Sequence, residues 1–151
     1  MPASTRSLAA SLLRWPEVDF TLELVVVPVS DVDRAKAFYA ERCGFHVDVD
    51  RTFSDDFRVV QLTPSGSGCS ISIGKGLAKM TPGSLQGLQL CVTDIDAARA
   101  QLTAGGVDAT PVRHIEDGEW LDGHGGPWNS FFFFDDPDGN GWTVQEKPAT
   151  A

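Results

Sequence analysis

The sequence predicts an α+β protein made of two consecutive βαβββ modules joined by a linker. Three observations carry this. The stretch Val27-Pro28-Val29-Ser30-Asp31-Val32-Asp33-Arg34-Ala35-Lys36-Ala37 recurs, in the same register, as Leu90-Cys91-Val92-Thr93-Asp94-Ile95-Asp96-Ala97-Ala98-Arg99-Ala100. Each copy passes from apolar, largely β-branched residues suited to a pleated surface into apolar residues at helical spacing. The stretches between the copies alternate in polarity and are broken by Gly and Pro. One repetition points to two modules of about 60 residues, since a solenoid needs at least about 3 repeats.

Taken in order, residues 1–19 form an N-terminal extension. Arg14 interrupts its apolar run and no cleavage site follows, so it does not read as a signal peptide. Residues 20–29 are the first strand. The hydroxyl of Ser30 is positioned to cap a helix carrying Val32, Ala35, Phe38 and Tyr39 on one face, which Gly44 terminates. Residues 45–53 alternate Phe45, Val47 and Val49 against His46, Asp48 and Asp50, the pattern of a half-buried strand. Strands over 57–63 and 70–74 flank the turn Pro64-Ser65-Gly66-Ser67-Gly68. Module 1 therefore covers about 20–75 and a linker about 75–85. Module 2, about 86–147, opens with a strand over 87–92 and a helix capped by Thr93 that ends at Gly105-Gly106. A short strand is expected over 107–112, and a long loop or lid over 113–129. The last strands, 130–134 and 142–146, are joined by Asp136-Pro137-Asp138-Gly139, which suits a type I turn. Residues 148–151 are a tail.

Composition narrows the function. The chain has 151 residues and a formal charge of −9, from 12 basic and 21 acidic residues, without a basic patch. That argues against nucleic acid and against anionic membrane surfaces as partners. No apolar run approaches the roughly 18 residues of a membrane span. Cys43, Cys69 and Cys91 are odd in number and widely spaced, which suits reduced thiols in the cytoplasm.

Three motifs together resemble the vicinal-oxygen-chelate superfamily, the group of glyoxalase I, fosfomycin- and bleomycin-resistance proteins and extradiol dioxygenases. They are Val-Ser-Asp-Val-Asp-Arg-Ala-Lys-Ala-Phe-Tyr at 29–39, Val-Thr-Asp-Ile-Asp-Ala-Ala at 92–98 and Asp-Pro-Asp-Gly-Asn at 136–140. The last looks like a large bacterial branch of glyoxalase-like proteins. The resemblance implies two βαβββ modules curved around a U-shaped cavity, in one domain over 20–147, and two chains paired as a homodimer. It also implies a divalent metal held by His, Gln or Glu at four strand positions. Here those positions align to Leu24, Ser72, Gly87 and Thr143. None is a usual ligand for such an ion, so no metal and no other cofactor is expected. Two alternatives stand beside this reading. A strand bulge could turn Glu23 inward, or an ion could be held by His114, Glu116, Asp117, Glu119, Asp122 and His124, which otherwise form a solvated acidic loop.

Strand parity with the four positions picks the side chains expected to face the cavity. These are Leu24, Val26 and Pro28, then Gln89 and Cys91, then Thr143 and Gln145, with Ser70 and Ser72. Either Arg58 or Gln61 joins them, according to a register the sequence leaves open. Of Phe131-Phe132-Phe133-Phe134 two rings go to each face, with Phe132 taken as a ligand contact. Trp120 and Trp128 are expected to close the mouth. Such a lining is apolar with a few neutral hydrogen-bonding groups, as in many small-molecule sites. His114 and Glu23 are the acid or base candidates. The leading expectation is a metal-free protein that sequesters a small apolar or aromatic molecule. The alternative is a lyase, isomerase or dioxygenase using a non-standard metal site or a metal-free acid or base.

Overall fold

A computed structural model describes residues 17–149. The elements are β1 (Leu24–Val26), α1 (Val32–Ala37), a π-helical turn (Phe38–Arg42), β2 (His46–Ser54), β3 (Phe57–Thr63) and β4 (Ser70–Lys75). The second module continues with β5 (Leu88–Val92), α2 (Ile95–Ala104), β6 (Arg113–Glu116), β7 (Glu119–Asp122), β8 (Phe131–Asp135) and β9 (Gly141–Glu146). Sheet 1 has the order β1-β4-β3-β2, and sheet 2 the order β5-β9-β8-β6-β7. The first strand of each module pairs in parallel with its last, so the repeat seen in the sequence is a repeat of topology. Val26 faces Ser72 in sheet 1 and Gln89 faces Thr143 in sheet 2, on equivalent rungs.

Both helices start one residue later than the hydroxyls suggest. Asp31 and Asp94 are the N-caps, and each accepts a 3.0 Å bond from the amide three residues on. Ser30 is thereby freed to bond Asp138 of the other module through both its amide (3.1 Å) and its hydroxyl (2.5 Å).

Module 2 differs from expectation over 107–129. Residues 107–112 make no strand. Pro111 has no amide to give, and the carbonyls of Thr110 and Ala109 accept from Arg99 Nε at 2.7 Å and Nη2 at 3.1 Å. The expected loop instead contains the β6–β7 hairpin. Its two-residue turn is Asp117-Gly118, both with positive φ (51° and 79°), the requirement of a type I′ turn.

One face of each sheet packs on its helix, and the two packed faces merge into one core. Val27, Val60, Leu62, Ile71 and Ile73 come from sheet 1, Phe132, Phe134, Trp142 and Val144 from sheet 2. Aromatic rings fill the seam: Tyr39 and Phe45 each lie within 6 Å of Trp142, which stacks on Phe134 at 5.9 Å. The Asp136-Pro137-Asp138-Gly139-Asn140 turn locks the seam. Asp136 Oδ2 accepts from Tyr39 Oη at 2.8 Å, and Asn140 Nδ2 donates to the Pro28 carbonyl at 2.8 Å. Among the described residues no helix covers the opposite, open face of either sheet, although the small side chains of Ser70 and Ser72 there are buried.

Candidate functional site

Registered strand pairs decide which side chains share the open faces. In sheet 1, β1 presents Leu24 and Val26 alongside Ser70 and Ser72 of β4, and β3 adds Gln61, whose partner is Ser72. Ser70 Oγ lies 2.6 Å from Thr63 Oγ1 and accepts from Gln61 Nε2 at 3.4 Å. A bulge in β2 between Val47 and Val49 breaks the alternation expected there. Val47 packs on the core, while Val49 pairs with Gln61 and joins the open face, 40 % exposed.

In sheet 2, Gln89 and Cys91 of β5 lie beside Thr143 and Gln145 of β9. Gln89 Nε2 donates to Gln145 Oε1 at 2.6 Å, and Gln145 Nε2 donates to the Trp128 carbonyl at 2.8 Å. That bond ties down a tryptophan whose backbone sits at φ 62°, a conformation bulky residues rarely adopt. On the same face Phe131 pairs with Gln145 and Phe133 with Thr143. Trp120 reaches across β6 and meets both rings edge-on, each at 5.4 Å. The result is an aromatic floor edged by neutral amides and a hydroxyl.

Four expected site residues lie elsewhere. Arg58 alternates with Val60 and Leu62, so it faces the helix side. There its guanidinium donates to both oxygens of Asp50 (3.1 and 3.0 Å) and to Asp33 at 2.8 Å. These bonds, with Lys36, hold the Asp50 carboxyl down at about 2. Phe132 is fully buried in the core beside Phe134, which sends Phe131 and Phe133 to the open face in its place. Glu23 precedes a strand that pairs without a bulge over Leu24–Val26, so its parity with Val25 and Val27 turns it from the open face. His114 follows Arg113, which pairs with Phe131, and alternation therefore takes it to the helix side. Its Nδ1 is 2.9 Å from the Gly123 carbonyl and its Nε2 3.4 Å from Glu116. Glu23 and His114 thus belong to different sheets and form no acid–base pair. Glu146 is committed too: its carboxylate accepts from the first amide of α2 at 2.9 Å.

The register also brings Arg113, which composition places in a loop, onto the open face beside Phe131. A countable signal existed for the rings. Asp135 pairs with Gly141 across the turn, and stepping back from there sets Phe133 opposite Thr143. A concavity of about 560 Å³ touches the floor at Phe133, bordered also by Thr110, Pro111 and Asp135, and others lie away from it. One of about 410 Å³ lies between α1 and the β8–β9 turn, bounded by Arg34, Phe38, Arg42 and Pro137. Another, about 210 Å³, runs between the modules past Cys43, Phe45 and Leu102.

A family model for the Glyoxalase/Bleomycin resistance protein/Dioxygenase superfamily matches residues 21–144. The chain belongs to this superfamily. Solved structures agree. TnmS3, an antibiotic binding protein from Streptomyces sp. CB03234, is 33 % identical, with 87 % of this chain and 99 % of that one covered at a TM-score of 0.70. A glyoxalase/bleomycin resistance protein from the same Streptomyces strain is 35 % identical over 83 % and 99 %, with a TM-score of 0.65. A superfamily member from Sphaerobacter thermophilus DSM 20745 is 26 % identical over 85 % and 98 %, at 0.68. Among functionally curated proteins none matches.

The superfamily's divalent ion does not fit the side chains of this member. Leu24 and Gly87 have no side-chain donor, and Ser72 and Thr143 offer only neutral hydroxyls where imidazole or carboxylate is needed. His124 bonds Asp96 of α2 at 2.9 Å, and among the described residues no three His, Cys, Asp or Glu side chains gather as a metal site. Also among the described residues, no helix is long and apolar enough to cross a membrane.

Proposed function

We propose that this superfamily member binds a small, largely aromatic molecule on its open sheet faces and holds it without chemical change. It does so without a metal, as a cytoplasmic homodimer. The observation that carries the reading is the Trp120, Phe131 and Phe133 floor bordered by the Gln89–Gln145 pair. Aromatic rings supply large apolar area and stack on planar ligands, while a few amides and hydroxyls orient them. TnmS3, a third identical over nearly its whole length, is described as an antibiotic binding protein, which supports sequestration of such a molecule here.

Native mass spectrometry of untagged protein, purified without chelator, tests this directly. The expected result is a metal-free species carrying an organic adduct that is released with its mass unchanged. Conversion of that adduct into a product on incubation overturns the reading. His114→Ala is expected to leave adduct binding as in the wild type, because the imidazole lies on the helix side.

A further inference from the structure

Among the strand residues that the register assigns to the open face of sheet 2, Arg113 is the one base. Its bonding is incomplete. The Nε is shut off from solvent and has no hydrogen-bond partner among the described residues. Asp122 Oδ1, on the facing rung of β7, stands 3.7 Å away, within ion-pair range but beyond hydrogen-bonding distance. Native structures rarely leave a buried donor unpaired. The side chain as a whole is 43 % exposed, so the rest of the fork reaches solvent next to the ring of Phe131.

The neighbours sharpen the contrast. Gln89 and Gln145 are bonded to each other, and Gln145 also to Trp128. Asp122, the ion-pair partner of Arg113, is 88 % exposed, and a pair so solvated holds the guanidinium only weakly. The donor held ready on this face is therefore the guanidinium. Its planar fork matches an anionic oxygen pair better than any single-point cation does.

We propose that Arg113 determines specificity at this site: it binds an anionic oxygen, a carboxylate or phenolate, carried by a planar aromatic ligand seated on Trp120, Phe131 and Phe133. This rests on the reading that the open face binds aromatic molecules. Its own content is the charge of the ligand and the residue that reads it.

Two probes with one ring system separate the two claims: 9-anthracenecarboxylate and the neutral 9-anthracenemethanol. Each is titrated by quenching of tryptophan emission at an ionic strength of about 0.15 M, which screens long-range repulsion from the acidic surface. The wild type is expected to bind the carboxylate about tenfold more tightly than the alcohol, the usual scale of a charge-assisted bond. Arg113→Gln should bind both probes with the affinity of the alcohol. Arg113→Lys, which keeps charge but not the fork, should fall between. Equal affinities in the wild type, or a preference that survives in Arg113→Gln, overturn the assignment and leave the aromatic-binding reading standing. Failure of the wild type to bind either probe overturns both. A change of oligomeric mass in Arg113→Gln with the probe preference intact makes Arg113 a protomer-contact residue and also overturns it.

Discussion

Tyr39 shows how much one side chain holds. Its phenol donates to Asp136 at 2.8 Å, accepts from Trp142 Nε1 at 3.0 Å and stacks with Phe45, so a helix of module 1 is joined to the closing turn of module 2. Burial, reinforced by the Asp136 carboxylate, pushes the phenol well above its ordinary 10.0, and the same causes push the Cys43 thiol from 9.0 up to about 12. Both are acids kept neutral by the fold. Their contribution to stability is complete below the unfolded values and is lost as pH rises beyond them. We expect Tyr39→Phe to cost about 1–3 kcal/mol at pH 7, since Asp136 and the indole each lose a buried partner. The same variant should lose less further stability than the wild type between pH 9 and 11. Urea denaturation at several pH values measures both, and an equal alkaline loss in the two proteins refutes the assignment. At this scale the sequence was readable where parity ran unbroken: Leu24, Val26, Gln89, Thr143 and Gln145 share the open faces as alternation requires. It was not readable for Arg58 against Gln61, where the choice depends on a register set by β4. Nor was it for Phe132, because a run of four identical rings carries no parity of its own.

At the scale of elements, the β6–β7 hairpin is the part that sequence composition concealed. Its charges and glycines read as a loop, although Asp117-Gly118 between Ile115 and Trp120 is itself a hairpin turn signal. The repeated strand–helix units were legible because their caps, apolar spacing and terminating glycines agree with one another. The hairpin is anchored by Asn129, which imitates a neighbouring strand. Its Oδ1 accepts from the Ile115 amide at 2.9 Å and its Nδ2 donates to the Ile115 carbonyl at 2.8 Å. Gly125 lies against this anchor, and a Cβ there would stand 2.2 Å from the Asn129 carbonyl oxygen and 2.8 Å from His114 Cβ. Gly125→Ala must displace both of them, and overpacking of this kind costs about 1–3 kcal/mol. If the hairpin carries the floor by holding Trp120 over Phe131 and Phe133, this variant should bind 9-anthracenemethanol several-fold more weakly while its far-ultraviolet circular dichroism stays native. Unchanged affinity would detach the hairpin from the site.

At the scale of the whole molecule, the described residues leave one face of each sheet without a covering helix. Both open faces look outward from the protomer, and β1 and β5 each have only one neighbour in their sheets. Unpaired edges and broad apolar faces are features that proteins normally cover. Val18, Phe20 and Leu22 ahead of β1, and Leu24 at its start, alternate with polar residues and are 64, 90, 70 and 37 % exposed. Four large exposed apolar side chains in one short segment suit a surface that a second chain covers. We therefore expect a particle of twice 16.3 kDa by light scattering at micromolar concentration. The double variant Phe20→Asp with Leu22→Asp adds two charges to that segment and should shift the equilibrium toward the single chain. The two open faces lie on different sheets, and if a second chain completes the enclosure, that monomer should also bind the aromatic probes at least about tenfold more weakly, because a ligand on an uncovered sheet leaves much of its apolar area in water. A wild-type monomer that binds the probes with full affinity would place the whole site on one open sheet, and the neutral rungs of sheet 1 would then have no part in recognition.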